Sequence, residues 1–561
     1  MTMTTYKPRR VNDITPQKKV ESQRGGGTAG CVLANRLTED PEISVLLLEK
    51  GKPSFTWSSR VPLLSCNFRT NTLCNIFNSV PQKQLGGKAV KIITGCGLGG
   101  SSRINAMLYT RGLPCQFDAW SEEGRKGWSY EELLPYFLKS ERALDETKNG
   151  AVHSVTGLWK NRSFKSYFKT TDSNPVEPIY GVAKASYTID EHSHRSDTAS
   201  AFLSSQEERH NLHICVDALV SKIVLNSSKG VSAKGVSVER YSQKSDLVEI
   251  LAKREIIICA GTIGSPQLLM LSGIGPRDHL LGLGIDVRKD LPGVGSNLRD
   301  HACIPVSFNV PIKDSLENTM NSSFSALGQL LEYITTGDGA FRAPIHEVHL
   351  WAKTDMLLFQ SKKILDERPS DTEDPQTSVI PDIEILATSF GDLGKSDKGG
   401  FSLWAVPVKP QSRGVVRLTT VNPRDPPACN LNLFGDPRDR LAARVALRLC
   451  LRIKEQMATN GYPITDNIVP KGDMDAALDS FVVERGRSLY HYCSSCRMAP
   501  EHDTLAPGVV NDELRVHGVS NLRIADASVF PDILSTHLQA TVVAVAEKCA
   551  DMVKKARNPL A

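Results

Sequence analysis

The chain has no run of about 18 apolar residues, so a membrane-spanning helix is not expected. Its first ten residues, Met1-Thr2-Met3-Thr4-Thr5-Tyr6-Lys7-Pro8-Arg9-Arg10, carry no apolar segment. A secretory leader is therefore not expected, and the expected location is intracellular, in the cytoplasm. No dense Lys/Arg patch with interleaved aromatics occurs, and 67 basic against 62 acidic residues leave a net charge of only +5. Nucleic acid is not an expected partner. There is no internal repeat and no long low-complexity tract. The 13 cysteines are odd in number and scattered through apolar runs such as 256–260, which suits small buried hydrophobes in a reducing compartment. Cys493-Ser494-Ser495-Cys496 has no second Cys/His pair to complete a ligand set, so no metal site is expected. Without a leader, the Asn-x-Ser sequons at Asn161, Asn226 and Asn321 carry little weight. The charged run 361–374 reads as a solvated loop.

What the chain does have is glycine in two concentrated places. Between Gly95 and Gly100, four of six residues are glycine, and Ser101-Ser102-Arg103-Ile104-Asn105-Ala106 follow. Backbone stripped of side chains can press against a ligand and point N–H groups at it, which marks Gly97, Gly100 and Ser101 as candidate contacts. The second place is Gly25-Gly26-Gly27-Thr28-Ala29-Gly30, which fits G-x-G-x-x-G. A helical pattern with Ala29, Val32, Leu33 and Leu37 on one face follows, then an apolar strand over 43–48 that ends at Glu49. Glu49 lies 19 residues beyond Gly30, where a carboxylate can accept from a ribose 2′-hydroxyl. The glycines let a helix N-terminus face a pyrophosphate. Gly25, Gly27, Thr28, Ala29, Gly30 and Glu49 are thus candidate dinucleotide contacts.

One element is out of pattern. The motif should follow an apolar central strand, but residues 16–24 are charged and hold a single apolar residue. The expectation is that this first strand is missing, or that residues 1–24 are an atypical segment arising from a misread gene boundary. If so, cofactor binding would be impaired.

Taken with other segments, these motifs resemble the glucose–methanol–choline (GMC) family of FAD-dependent oxidoreductases, from Gly25 to about Val553. The stretch 95–118 is similar to one family signature, with a departure at Cys96, and 261–275 matches a second throughout. Asp118-Ala119-Trp120, Gly127-Trp128-Ser129-Tyr130, residues 291–301 and residues 522–531 are further likenesses. The resemblance implies an α/β fold: a Rossmann-like FAD-binding domain, with a substrate domain built on an antiparallel sheet backed by helices. It implies mainly FAD-binding sequence over 25–300, mainly substrate-binding sequence over 301–490, and a return to the FAD domain over 491–561. Runs at 379–385, 400–407 and 414–419 read as β, and 324–336 and 438–458 as helices.

FAD is the implied cofactor. The resemblance adds Asn105, Ala106, Val220, Asp526, Ala527 and Gln539 to the contacts, Val220 through its backbone at the adenine and Asp526 near the pyrophosphate. His491 is the implied base and His537 the group holding the substrate oxygen, although the two lie 46 residues apart. The implied reaction oxidises a small-molecule alcohol to an aldehyde or ketone, with oxygen or another electron acceptor, in the tailoring of a secondary metabolite. Around the base the family pattern His-Pro-x-Gly-Thr-Cys is altered: Tyr492, Ser494 and Ser495 stand for Pro, Gly and Thr. Loss of the proline should loosen the placement of His491. These changes motivate a rival reading, a non-redox cyclase or dehydratase on the same fold. His301, beside Asp300, reads as structural.

Overall fold

A computed structural model describes residues 20–53, 56–65, 73–144, 153–163, 171–172, 180–203, 209–228, 230–243, 246–360, 380–391, 398–504 and 506–557. The charged run 361–374 lies outside them.

The first sheet has a parallel core. Leu212–Cys215, Val45–Leu48, Val20–Arg24 and Val248–Ile258 lie side by side, and Leu522–Ile524 joins Val248–Ile258. The long strand Val248–Ile258 does two jobs. Its second half carries the parallel pairing, while its first half turns antiparallel into Ser232–Arg240 and Ala218–Asn226. Every residue of Val45–Leu48 is buried, as a strand covered on both faces requires. The helix Thr28–Leu37 is buried from Ala29 onward and packs against the C-terminal helix Gln539–Arg557.

The expected absence of a first strand is corrected here. Val20–Arg24 forms the strand between Val45–Leu48 and Val248–Ile258, with Arg24 opposite Leu48 on one side and Ile258 on the other. A ladder is made by backbone N–H and C=O groups that a polar residue carries as well as an apolar one. Two strand edges waiting on either side outweigh the missing apolar pattern. Gly25 then donates its N–H to Leu48 O at 2.8 Å, so the strand delivers the chain straight into the glycine loop.

The second sheet is antiparallel apart from one edge pair. Its order is Thr465–Ile468, Ala302–Val310, Gly399–Pro407, Ile383–Thr388, His346–Ala352, Gly181–Lys184, Thr171–Asp172. Arg487–Ser488 pairs with the start of Ala302–Val310. Helix Pro437–Thr459, capped by Asp436, packs across Gly399–Pro407 and Ile383–Thr388. Leu212–Cys215 and Ala218–Asn226 are separate strands, broken at Asp217, whose φ is +58°. Among the described residues, no helix is long and apolar enough to cross a membrane.

Candidate active site

A cavity of about 870 Å3 runs between the two sheets. At one end the two glycine loops meet. Gly25 has φ +98°, and a Cβ there would lie 2.2 Å from Cys259 O. Gly100 has φ +52°, and its Cβ would sit 2.7 Å from Gly27 Cα. Only glycine allows both approaches. Helix Thr28–Leu37 begins at Gly27 with no side-chain cap and no acid in its first turn, and Gly27, Thr28 and Ala29 line the cavity. That leaves the positive end of the helix dipole turned toward the space, as an anion requires.

One buried carboxylate, Glu49, ties these two loops together, and a second, Asp526, holds the start of helix Gly261–Leu271. Glu49 accepts the Gly26 N–H at 2.9 Å on one oxygen, and those of Gly51 and Gly97 at 2.8 and 3.0 Å on the other. Asp526 accepts Gly261 N–H at 2.9 Å, Ser265 Oγ–H at 2.6 Å and Ser528 N–H at 2.8 Å. Burial nevertheless raises the Asp526 pKa above its ordinary value.

Most candidate contacts border the same cavity. Besides the first loop, these are Glu49, Gly100, Ser101, Asn105, Ala106, Val220, Asp526, Ala527 and Gln539. Asn105 donates to Gln539 and accepts from Arg195 at 2.6 Å. Gly30 and Gly97 stand back from it. Gly30 is buried within its helix, and Gly97 packs so that a Cβ would lie 2.7 Å from Lys52 O.

At the opposite end lie His491 and His537, with His491 Nε2 3.2 Å from His537 Nδ1 and the rings edge-to-face. The turn bearing His491 is clamped without a proline. Arg299 and Cys493 exchange backbone hydrogen bonds at 3.0 Å, Leu489 N–H donates to His301 O, and His491 N–H donates to Asp300 Oδ1 at 2.8 Å. Tyr492 is buried, with its hydroxyl 3.3 Å from Ser488 Oγ. The expected loosening is thus offset by pairing with 299–301. Ser494, where the GMC pattern has glycine, sits at φ +67°, a conformation costing an L-residue about 1 kcal/mol. The Cys493 and Cys496 side chains are buried.

Three histidines and a glutamate complete the group, and sequence reasoning missed their role. His301, read as structural, places Nδ1 2.9 Å from His491 Nδ1, and its Nε2 lies 3.0 Å from Val408 O. Glu384 Oε1 lies 3.1 Å from His537 Nε2 and 2.7 Å from His349 Nδ1. His346 borders the cavity. A bulge between His346 and His349 lets both join the cluster from one strand, although a regular strand would point them to opposite faces. The one signal in the sequence was the Asp300-His301 pair at the end of the 291–301 likeness; His346, His349 and Glu384 carry no motif. The ligand-type atoms of His349, Glu384 and His537 lie within 4.8 Å of one another, but the 2.7 and 3.1 Å separations are hydrogen-bond lengths.

Burial dominates the titration here. His301 is pushed down to about 3, chiefly by burial. His491 is held well below the ordinary histidine value by burial, then by the charges of His537 and His301. Burial opposes ionisation of Glu384, but the charge of His537 and the hydrogen bonds from His349 and His537 outweigh it and hold the carboxyl far below its usual range. Burial pushes Asp300 up to about 7.

Family profiles described as GMC oxidoreductase match residues 23–303 and 410–546. The chain belongs to the GMC oxidoreductase family. An oxygen-dependent choline dehydrogenase from Brucella ovis is 34% identical over 554 residues, covering 96% of this chain and 95% of that protein. An FAD-dependent oxidoreductase from Chaetomium thermophilum superposes with TM-score 0.84 at 27% identity, covering 96% of this chain and 100% of that one. Pyridoxine 4-oxidase from Mesorbium loti gives 0.78 at 25%, covering 95% and 99%. As a GMC oxidoreductase the chain is an FAD-dependent enzyme acting on alcohols. Its own geometry fits that cofactor: a backbone cradle that any Cβ at Gly25 or Gly100 would fill, and an uncapped helix N-terminus.

Proposed function

We propose that this GMC oxidoreductase oxidises an alcohol to its aldehyde or ketone, with His491 Nε2 taking the hydroxyl proton. The observation that carries this is the unbroken line of ring-nitrogen contacts from Val408 O through His301, His491 and His537 to Glu384. Val408 O only accepts, so His301 Nε2 carries hydrogen and, in the neutral ring, Nδ1 is a lone pair. His491 must then donate from Nδ1, which leaves Nε2 unprotonated on the side of His537. That is the tautomer a base needs, and it supports this reading. His537 lies between His491 Nε2 at one nitrogen and the Glu384 carboxylate at the other, so its ring is placed to donate an N–H toward the substrate side.

A substrate oxygen that displaces the 3.2 Å contact between the two rings meets a lone pair on His491 and an N–H donor on His537. His491 takes its proton, and His537 stabilises the developing alkoxide. Gly25, Gly27 to Ala29, Gly100 and Ser101 would hold the FAD pyrophosphate, and Asn105, Ala106 and Gln539 would border the flavin. The chemistry FAD supplies there is acceptance of a hydride at N5. The name of the Brucella relative supports oxygen as the final acceptor.

Anaerobic mixing of the holoenzyme with a panel of primary and secondary alcohols tests this reading. Bleaching of flavin absorbance together with carbonyl product is expected. Product without bleaching would overturn it in favour of non-redox chemistry.

A further inference from the structure

We propose that Arg487 selects a carboxylate-bearing alcohol, in contrast to the cationic substrate in the name of the choline dehydrogenase relatives. The inference deepens the reading above and rests on it, since the carboxylate is placed at the far end of a substrate whose carbinol sits at His491.

Arg487 begins the short strand that pairs with Ala302–Cys303, and it borders the cavity. Its guanidinium lies 4.5 Å from the centroid of the Trp404 ring. Trp404 in turn stands edge-to-face with His346, at 5.1 Å between centroids, and His346 belongs to the histidine cluster. One aromatic ring therefore separates Arg487 from the catalytic end. Among the described residues no carboxylate pairs with Arg487; its neighbours include the Trp404 face, the Cys303 thiol and the Tyr490 hydroxyl. A guanidinium stacked on an indole keeps its edge donors available for a planar anion.

The surrounding charges agree. The acidic residues bordering the cavity, Glu49, Asp425 and Asp526, are all committed elsewhere. Glu49 and Asp526 serve the backbone of the cofactor loops, and Asp425 is held by Thr420 and Asn422. Arg485, the last residue of helix Asp475–Arg485, also borders the cavity near Arg487, and among the described residues no acid of the second sheet borders the space. Lys88, anchored on the carbonyls of Val483, Glu484 and Gly486, adds a third cation behind them. Glu384 is turned away into hydrogen bonds with His349 and His537. A quaternary ammonium would meet like charge here, with one Trp404 face already taken. A carboxylate meets a geometrically matched fork that no other carboxylate holds.

The test uses holoenzyme and three benzylic alcohols that differ only at the para position: carboxylate, methyl ester and trimethylammonium. The carboxylate should show a KM at least about tenfold below that of the ester, as a charge-assisted hydrogen bond to an arginine implies, and the trimethylammonium compound should be the poorest. Arg487→Gln should raise the carboxylate KM by about tenfold or more with a much smaller change in kcat, and Arg487→Lys should recover part of the loss. Equal KM values for acid and ester in the unaltered enzyme, a carboxylate advantage that survives Arg487→Gln, or preference for the trimethylammonium compound would each overturn the assignment. If no alcohol bleaches the flavin, the oxidation reading itself fails. If the ester bleaches it and the acid is no better, only the role of Arg487 fails.

Discussion

The two ends of the cavity are built by opposite means. The end bordered by residues 25–29 and 100–101 is made of backbone, and its carboxylates, Glu49 and Asp526, are occupied in holding N–H groups of the loops. The other end is made of side chains from five separate segments: His301, His346 and His349, Glu384, His491 and His537. A backbone cradle fails when a single atom is added. A side-chain relay fails by degrees, as each member loses the partner that orients it.

The largest effect should come from the cradle. Gly100→Val puts a branched side chain where a Cβ alone already lies 2.7 Å from Gly27 Cα, on a residue with positive φ. We expect purified Gly100→Val to be colourless, with loss of the flavin absorbance bands. A yellow protein with full FAD occupancy would show that the loops part easily.

The relay should respond by degrees. His301→Leu removes the acceptor that holds the His491 Nδ1–H and frees the ring to take the other tautomer. The rate of anaerobic flavin reduction should fall at least about tenfold with FAD still bound, because a misoriented or wrongly tautomeric base is costly. His301→Asn, whose amide offers both a donor for Val408 and an acceptor for His491, should recover part of the rate. The pH profile adds a second readout. A base must be unprotonated, and His491 is held well below 6.5, so the enzyme should keep its kcat/KM as pH falls through 6.5 and lose it only at more acid pH. An inflection at 6.5 would mean that burial does not set this group.

The smallest effect belongs to the turn after the base. Ser494 holds φ +67°, so Ser494→Gly should stabilise the fold by about 1 kcal/mol, seen as a rise of about 1 °C in Tm. An unchanged or lower Tm would indicate that the Ser494 hydroxyl, 3.4 Å from Cys493 Sγ, contributes more than the strain costs.

The same contrast explains what the sequence made legible. Close backbone packing demands glycine at fixed local spacing, so both loops and the acid at Glu49 stood out. His491 and His537 were reached through likeness to a family, since nothing in their spacing joins them. His346, His349 and Glu384 are brought in by strand pairing and a bulge, and a bulge has no signature in a single chain. Val20–Arg24 misled for the converse reason: its ladder depends on backbone groups that composition does not reveal.

The central claim is that the lone pair on His491 Nε2 removes the alcohol proton. The direct measurement is the limiting rate of anaerobic flavin reduction by a reactive alcohol in His491→Ala against the unaltered enzyme, both confirmed to carry FAD. We expect a fall of roughly 10²–10⁴-fold, the usual worth of a positioned general base. A variant that reduces its flavin at nearly the original rate would contradict the account.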